Sequence, residues 1–367
     1  MVGGSMTRAF APVEQIEVSA FRIPTDTPTE SDATFTWDET TLVLVEAQAE
    51  DVRGLGYTYA TARLVSEAPV DVVRGRDAMA TGAAWQAMVS SVRNIGRSGI
   101  ASMAISAVDA ALWDLKARVL DMPLVTLLGA TRTAAPVYGS GRFTSYSSEQ
   151  LRMQLSDWLD AGIPRVMMKI GRDAEADVKR VAAARAVIGA DAELFVDANG
   201  AYHRKLALLQ AERFAGERVS WFEEPVVYWD LEGLRLCRDR APAGMDISVG
   251  EYGYAPQDFV SMLDAGAVDV LQADTSRCGG ITGLLIVDAL CEARGVPLSH
   301  CAPSLHIHPA CALKRLRHVE YFHDHVRIEH MLFEGALTPI DGELYSDLSR
   351  SGMGLEFKHA DARRFAI

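Results

Sequence analysis

Three carboxylates recur at intervals of about 26 to 28 residues: Asp197 in Val-Asp-Ala-Asn-Gly, Glu223 in Trp-Phe-Glu-Glu-Pro and Glu251 in Val-Gly-Glu-Tyr. Each follows a short apolar run. Hard anionic oxygens with no thiolate or imidazole beside them suit Mg²⁺, with water or substrate oxygens completing the shell. Lys169 and His300 stand at comparable positions before and after this trio, and Asp274 and Glu329 extend the series. A carboxylate beside a histidine fixes its tautomer and raises its basicity, so Asp274 with His300 reads as an oriented general base. Glu329 is placed to bond a substrate oxygen away from the metal. Glu224 follows Glu223 directly. Strand alternation would send it to the opposite face, so Glu223 is read as the ligand and Glu224 as structural.

Such residues converge only if the elements behind them repeat. From Pro136 the chain alternates short apolar strand, polar loop and amphipathic helix, with strands read near Val137, Val166, Leu194, Trp221, Ile247, Leu271, Leu298 and Val326. Eight such units imply a closed parallel (β/α)-barrel, whose active site lies at the carboxyl ends of its strands. Seven ionisable side chains at seven strand ends, Lys169 through Glu329, would then share one mouth. Capping of the following helix explains an Asp at such a position, but Lys and His are poor N-caps.

Ahead of the barrel, strands read over Ile16–Ile23 and Thr40–Ala47, with a Gly54-Leu-Gly56 turn leading to a third near Tyr57–Ala60. A helix with apolar residues at Ile100, Met103, Val108, Leu112, Leu115 and Val119 follows and stops at Pro123. The expected organisation is an N-terminal α+β domain over 8–133, a barrel over 134–332, and a segment over 333–367 that packs back on the N-terminal domain. The stretch 24–38, rich in Pro, Asp and Ser, reads as a loop over the barrel entrance.

Composition narrows the function. The 367 residues carry 49 acidic and 36 basic side chains, a formal charge of −13, with no clustered Lys and Arg. Nucleic-acid binding is disfavoured. No apolar run approaches the roughly 20 residues of a membrane span, and the start does not read as a secretory signal. Five cysteines, without any Cys-x-x-Cys pair, read as reduced thiols of a cytoplasmic protein.

With Lys169, Asp197-Ala-Asn199-Gly, Glu223-Glu-Pro225, Gly250-Glu251, Asp274 with Gly279-Gly280, and His300 in place, the sequence resembles the enolase superfamily, mandelate racemase subgroup, over nearly its whole length. The resemblance implies an enolase-type barrel under an N-terminal capping domain completed by the C-terminal tail. It implies one Mg²⁺ held by Asp197, Glu223 and Glu251, and Lys169 as the second lysine of a Lys-x-Lys pair. It further implies a His300–Asp274 dyad, Glu329 opposite the metal, and a homo-oligomer. Met167 departs from the pattern, since many relatives carry the first lysine there.

The chemistry expected is abstraction of the α-proton of a small carboxylate to give an enediolate. Loss of a β-hydroxyl as water would make the enzyme an acid-sugar dehydratase. Return of the proton, with Lys169 and His300 on opposite faces, would make it a racemase, epimerase or cycloisomerase. A Schiff-base aldolase through Lys169 or a non-catalytic scaffold would leave the three carboxylates without a purpose. Trp37, Tyr57, Asn199 and His306 are candidate substrate contacts, and 23–40 and 57–62 are candidate specificity segments. His-Ile-His at 306–308 reads as pocket lining rather than a zinc site, Cys301 as an inert core thiol, and Gly279-Gly280 as a tight turn.

Overall fold

A computed structural model describes residues 10–59, 68–141, 143–300 and 303–367. Cys301 and the 60–62 part of the second specificity segment lie outside them. Strands Gln15–Pro24, Glu39–Ala49 and Val52–Tyr59 form an antiparallel sheet in that order. Helix Ile100–Val119 packs on it through a face of small residues, among them Ala104, Ala107, Ala110 and Ala111, all buried. The backbones approach so closely that a Cβ at Gly54 would lie 2.2 Å from Leu115 N, and one at Gly56 2.3 Å from Ala107 O. These two glycines therefore sit inside the third strand as contact points for the helix, and the expected turn falls earlier, between Ala49 and Val52. Buried Asp114 ties three parts together, accepting from Leu55 N at 2.8 Å, Met353 N at 2.6 Å and Arg118 Nε at 2.8 Å.

Eight parallel strands follow: Ala134–Ser140, Arg165–Lys169, Glu193–Asp197, Val219–Glu223, Asp246–Val249, Val270–Ala273, Leu298–His300 and Leu316–Phe322. Each bonds to the next, and the last pairs with the first with Val319 opposite Val137, so the barrel closes. Tyr138, Met167, Phe195, Trp221 and Val270 form an interior layer. Met167 thus lies in an aromatic layer, where it fills apolar space.

The eighth strand corrects the sequence reading. Val326 and Glu329 lie on helix His323–Leu332, and the strand comes earlier, at Leu316–Phe322. Its last turn of sequence brings Glu320, not Glu329, to the mouth.

The tail serves both halves. Glu343–Tyr345 adds antiparallel to Ala134–Pro136 of the first barrel strand, while Ile367 N donates to Ala20 O at 3.1 Å. The capping helix also meets the barrel directly. Ser106 Oγ accepts from Gly279 N at 2.9 Å and Gly280 N at 3.0 Å, at the start of barrel helix Gly280–Arg294. Gly280 leaves the room for this, since a Cβ there would lie 2.4 Å from Asp109 Oδ2. Among the described residues no helix is long and apolar enough to cross a membrane.

Candidate active site at the barrel mouth

Parallel register brings the strand-end residues side by side: Lys169 is opposite Asp197, and Asp197 opposite Glu223. Glu251 follows the fifth strand after Gly250, whose backbone lies so close to its neighbour that a Cβ would stand 2.0 Å from Gln272 O. Lys169 and Asp197 form a buried ion pair. Asn199 N donates to Asp197 Oδ1 at 2.8 Å, and Trp221 Nε1 to Glu223 Oε2 at 3.2 Å.

Charge is the dominant feature of this end of the barrel. Burial pushes the Asp197 carboxyl up to about 6 against the pull of Lys169, and the charge of Glu251 adds to the rise. Burial, then repulsion from Asp197 and Glu251, holds Glu223 well above the carboxylate range. Burial works against a charge on Lys169, but Asp197, Glu251 and Glu223 outweigh it and keep the ammonium strongly protonated. Glu320, also buried, is pushed up to about 7. One lysine facing this many carboxylates leaves an excess of negative charge that a divalent cation would offset, and an all-oxygen donor set fits Mg²⁺. Among the described residues Asp197, Glu223 and Glu251 do not gather within 4.8 Å of one another, as mutual repulsion would dictate.

The histidine side differs from expectation in its partners. Asp274 Oδ1 lies 3.3 Å and Thr275 N 3.0 Å from His306 Nε2, which donates to the first when protonated and accepts from the second when not. His300 Nε2 is 3.3 Å from Thr275 Oγ1, and the His300 and His306 rings meet edge to face with centroids 4.3 Å apart. Burial would raise Asp274, but the bond to His306 and the charge of Arg277 hold it well below its ordinary value. His306, read as a pocket-lining residue, is therefore a buried support between Asp274 and His300. Glu329 is elsewhere: its Oε1 accepts from Tyr57 Oη at 2.5 Å and its Oε2 from Ser304 N at 3.0 Å. The expected roles of Glu329 opposite the metal and of Tyr57 against substrate do not fit these positions. Both are buried, tying the capping sheet to the barrel.

Above these groups lies a cavity of about 330 Å³, lined by Lys169, Asn199, Glu251, Asp274, Arg277 and Glu320 from the barrel and by Trp37 and Tyr59 from the capping side. Asp197, Glu223 and His300 lie beneath it, fully or nearly fully buried. The 24–38 segment holds a small hairpin, Glu30–Ser31 with Thr36–Trp37, over one edge. Trp37 Nε1 donates to Asp324 Oδ2 at 3.3 Å, and its ring meets Phe143 edge-on at 5.1 Å. Tyr59 stacks on His325 at 3.8 Å. Tyr59, Asp324 and His325 line the cavity, and among the described residues Tyr59 Oη and His325 Nδ1 are buried without a hydrogen-bond partner. Tyr59 falls within the 57–62 segment read as a specificity determinant, whereas Arg277, Asp324 and His325 carry no such signal. Each of these three is one polar residue in a turn or at a helix start, and only the fold brings it to the mouth.

Comparison with known proteins places this geometry in context. Residues 15–129 match the family model for the mandelate racemase / muconate lactonizing enzyme N-terminal domain, and residues 150–362 the enolase C-terminal domain-like model. A 3,6-anhydro-alpha-L-galactonate cycloisomerase of Streptomyces coelicolor is 32% identical, over 97% of this chain and 99% of its own. A mandelate racemase/muconate lactonizing enzyme-like protein from Rubrobacter xylanophilus superposes with a TM-score of 0.95 at 50% identity, over 97% of this chain and 100% of its own. The L-talarate/galactarate dehydratase of Salmonella typhimurium, solved with Mg and L-lyxarohydroxamate, gives a TM-score of 0.89 at 25% identity, over 100% of this chain and 96% of its own.

Proposed function

Because the chain belongs to the mandelate racemase/muconate lactonizing enzyme family of the enolase superfamily, we propose that it dehydrates an acid sugar after removing the proton α to its carboxylate. It is a lyase or isomerase of that superfamily. The observation that supports the choice of an acid sugar is the polar lining of the cavity, where Lys169, Asn199, Glu251 and Arg277 face Asp324 and His325. Hydroxyls of a sugar acid can pair with such groups, whereas an aryl group would leave each without a partner at a cost of about 1–3 kcal/mol.

Asp197, Glu223 and Glu251 would hold Mg²⁺, whose charge makes the α-proton of a carboxylate acidic enough to remove. Lys169 stands beside that trio, and His300 five strands further round the ring. Bases so placed address opposite faces of a bound substrate. One takes the α-proton as the C–H bond breaks. Protonated His300 then gives a proton to the β-hydroxyl, the C–O bond breaks and water leaves. The enol formed becomes a 2-keto-3-deoxy acid. Asp274 reaches His300 through Thr275 and His306, orienting the ring. Lys169 must release the proton that Asp197 now stabilises before it can act as a base.

The cycloisomerase likeness supports a second reading, in which the same proton abstraction ends in isomerisation without loss of water. A panel of acid sugars and anhydro acids incubated with Mg²⁺, assayed with semicarbazide and weighed by mass spectrometry, separates the two. Keto acid lighter than its substrate by one water supports dehydration; product of unchanged mass, keto or not, rejects it.

A further inference from the structure

Beside the cavity, on the outer side of the 24–38 segment, lies a second group of potential ligands. Asp26 Oδ2 is 2.7 Å from His323 Nε2, and ligand atoms of Asp26, Glu30 and His323 all lie within 4.8 Å of one another. Among the described residues this is the one such trio of His, Cys, Asp or Glu side chains. Asp26 is exposed, so the group can be reached from solvent.

Hydrogen bonding satisfies this group only when Glu30 carries a proton that it shares with Asp324 and Asp26. Glu30 has no exposed surface, and its Oε2 has no hydrogen-bond partner. Its other oxygen has only two long contacts, with Thr27 Oγ1 and Tyr146 Oη, each at 3.5 Å. Asp324, next to His323 and equally buried, leaves its Oδ1 without a partner too. The nearby cation, Arg327, gives its Nη2 to Pro24 O at 2.7 Å. Two buried carboxylates are thus brought together with too few donors, an arrangement that calls for a proton or a cation between them. Burial and the charges of Asp324 and Asp26 push Glu30 up to about 10, which records the same deficit.

We propose that Asp26, Glu30 and His323 form a second divalent-cation site, separate from the strand-end trio, that fastens the 24–38 segment to the barrel. An imidazole with two carboxylates favours a borderline ion such as Zn²⁺ over Mg²⁺, whose preferred donors are all oxygen. Water would complete the shell on the exposed side, and Asp324 would add negative charge behind it. Asp26 and Glu30 belong to the segment over the mouth and His323 to the first turn of helix His323–Leu332. A bound ion would therefore hold the hairpin carrying Trp37 in its seat against Asp324.

The test uses the whole chain, stripped with chelator and then dialysed against micromolar Zn²⁺ in millimolar Mg²⁺, so that the hard-oxygen site is already filled. Elemental analysis should find about one Zn²⁺ per chain, lost in both Asp26→Ala and His323→Ala. Crystals should show Zn-edge anomalous density among Asp26, Glu30 and His323, and Zn²⁺ should slow amide exchange across 24–38. No Zn²⁺ in the wild type, Zn²⁺ retained by both variants, or density elsewhere would overturn the site. Unchanged exchange in a chain that binds Zn²⁺ there would overturn its role as a fastening.

Discussion

Asp109 of the capping helix grips Thr282 of the barrel twice, Oδ2 accepting from its amide at 2.8 Å and Oδ1 from its hydroxyl at 2.7 Å. Thr282 is the third residue of helix Gly280–Arg294, so the capping domain supplies that barrel helix with its N-terminal cap. The turn holding Asp274 and Arg277 runs directly into it. Asp109→Ala should cost about 1–3 kcal/mol in urea unfolding and loosen the histidine side of the site. Full stability in this variant would count against the cap.

Asp109 also sets a pH dependence. Burial pushes it up to about 7, above its ordinary 3.8. A carboxyl whose folded value is raised favours folding while protonated. Its contribution is complete below about 3.8 and is lost as pH rises through about 7. Wild type should therefore lose ground against Asp109→Asn between about pH 4 and 7, measured as the difference in unfolding free energy. A difference that stays flat with pH would reject the shift.

For the strand-end trio, activity and stability should move in opposite directions. Glu223→Gln should lower turnover by at least about 10²-fold, as expected for loss of a metal ligand. In EDTA the same variant should melt at or above the wild-type temperature, because a repelling buried acid has been neutralised. Addition of Mg²⁺ should raise the wild-type melting temperature more than that of the variant. Equal Mg²⁺ shifts in the two proteins would remove Glu223 from the ligand set.

Lys169→Ala and His300→Asn should separate the two faces of the substrate. In D₂O an isomerase would retain exchange of the α-proton of one isomer in each variant, with NMR as the readout. A dehydratase would retain exchange in at most one variant, and neither would make inverted starting acid. Unchanged turnover in both would exclude these residues from the mechanism.

Trp37 couples the hairpin to the mouth through Asp324. Trp37→Phe keeps the ring but removes the donor, and should raise KM by up to about 10-fold, the equivalent of one ordinary hydrogen bond. Hydrogen exchange over 24–38 should fall when substrate or inhibitor saturates the wild type. If it does not, the segment is no lid.

The second to seventh barrel strands were readable because each is a short apolar run that stops at one ionisable residue, from Lys169 to His300. The eighth was not. About twenty residues separate His300 from Glu320, fewer than between the other strand ends, and Leu316-Arg-His-Val-Glu-Tyr-Phe is too polar to stand out. Glu329 took its place because it lies nearer the expected spacing. Gly54 and Gly56 look like a turn in sequence and only the packed helix shows why they are strand residues. The contact of His306 with Asp274 depends on a helix folding back across the mouth, which no local pattern encodes.

The pairing of Ile367 with Ala20 has a consequence for synthesis on the ribosome. The sheet that carries Tyr59 and the Trp37 hairpin emerges first, yet one of its edges waits for a partner more than three hundred residues downstream. The barrel strands emerge in between and can begin to pair in order. The catalytic chamber is therefore finished late, when residues 366 and 367 leave the exit tunnel and clasp the strand made near the start. Until then the nascent chain can hold a barrel without a complete roof.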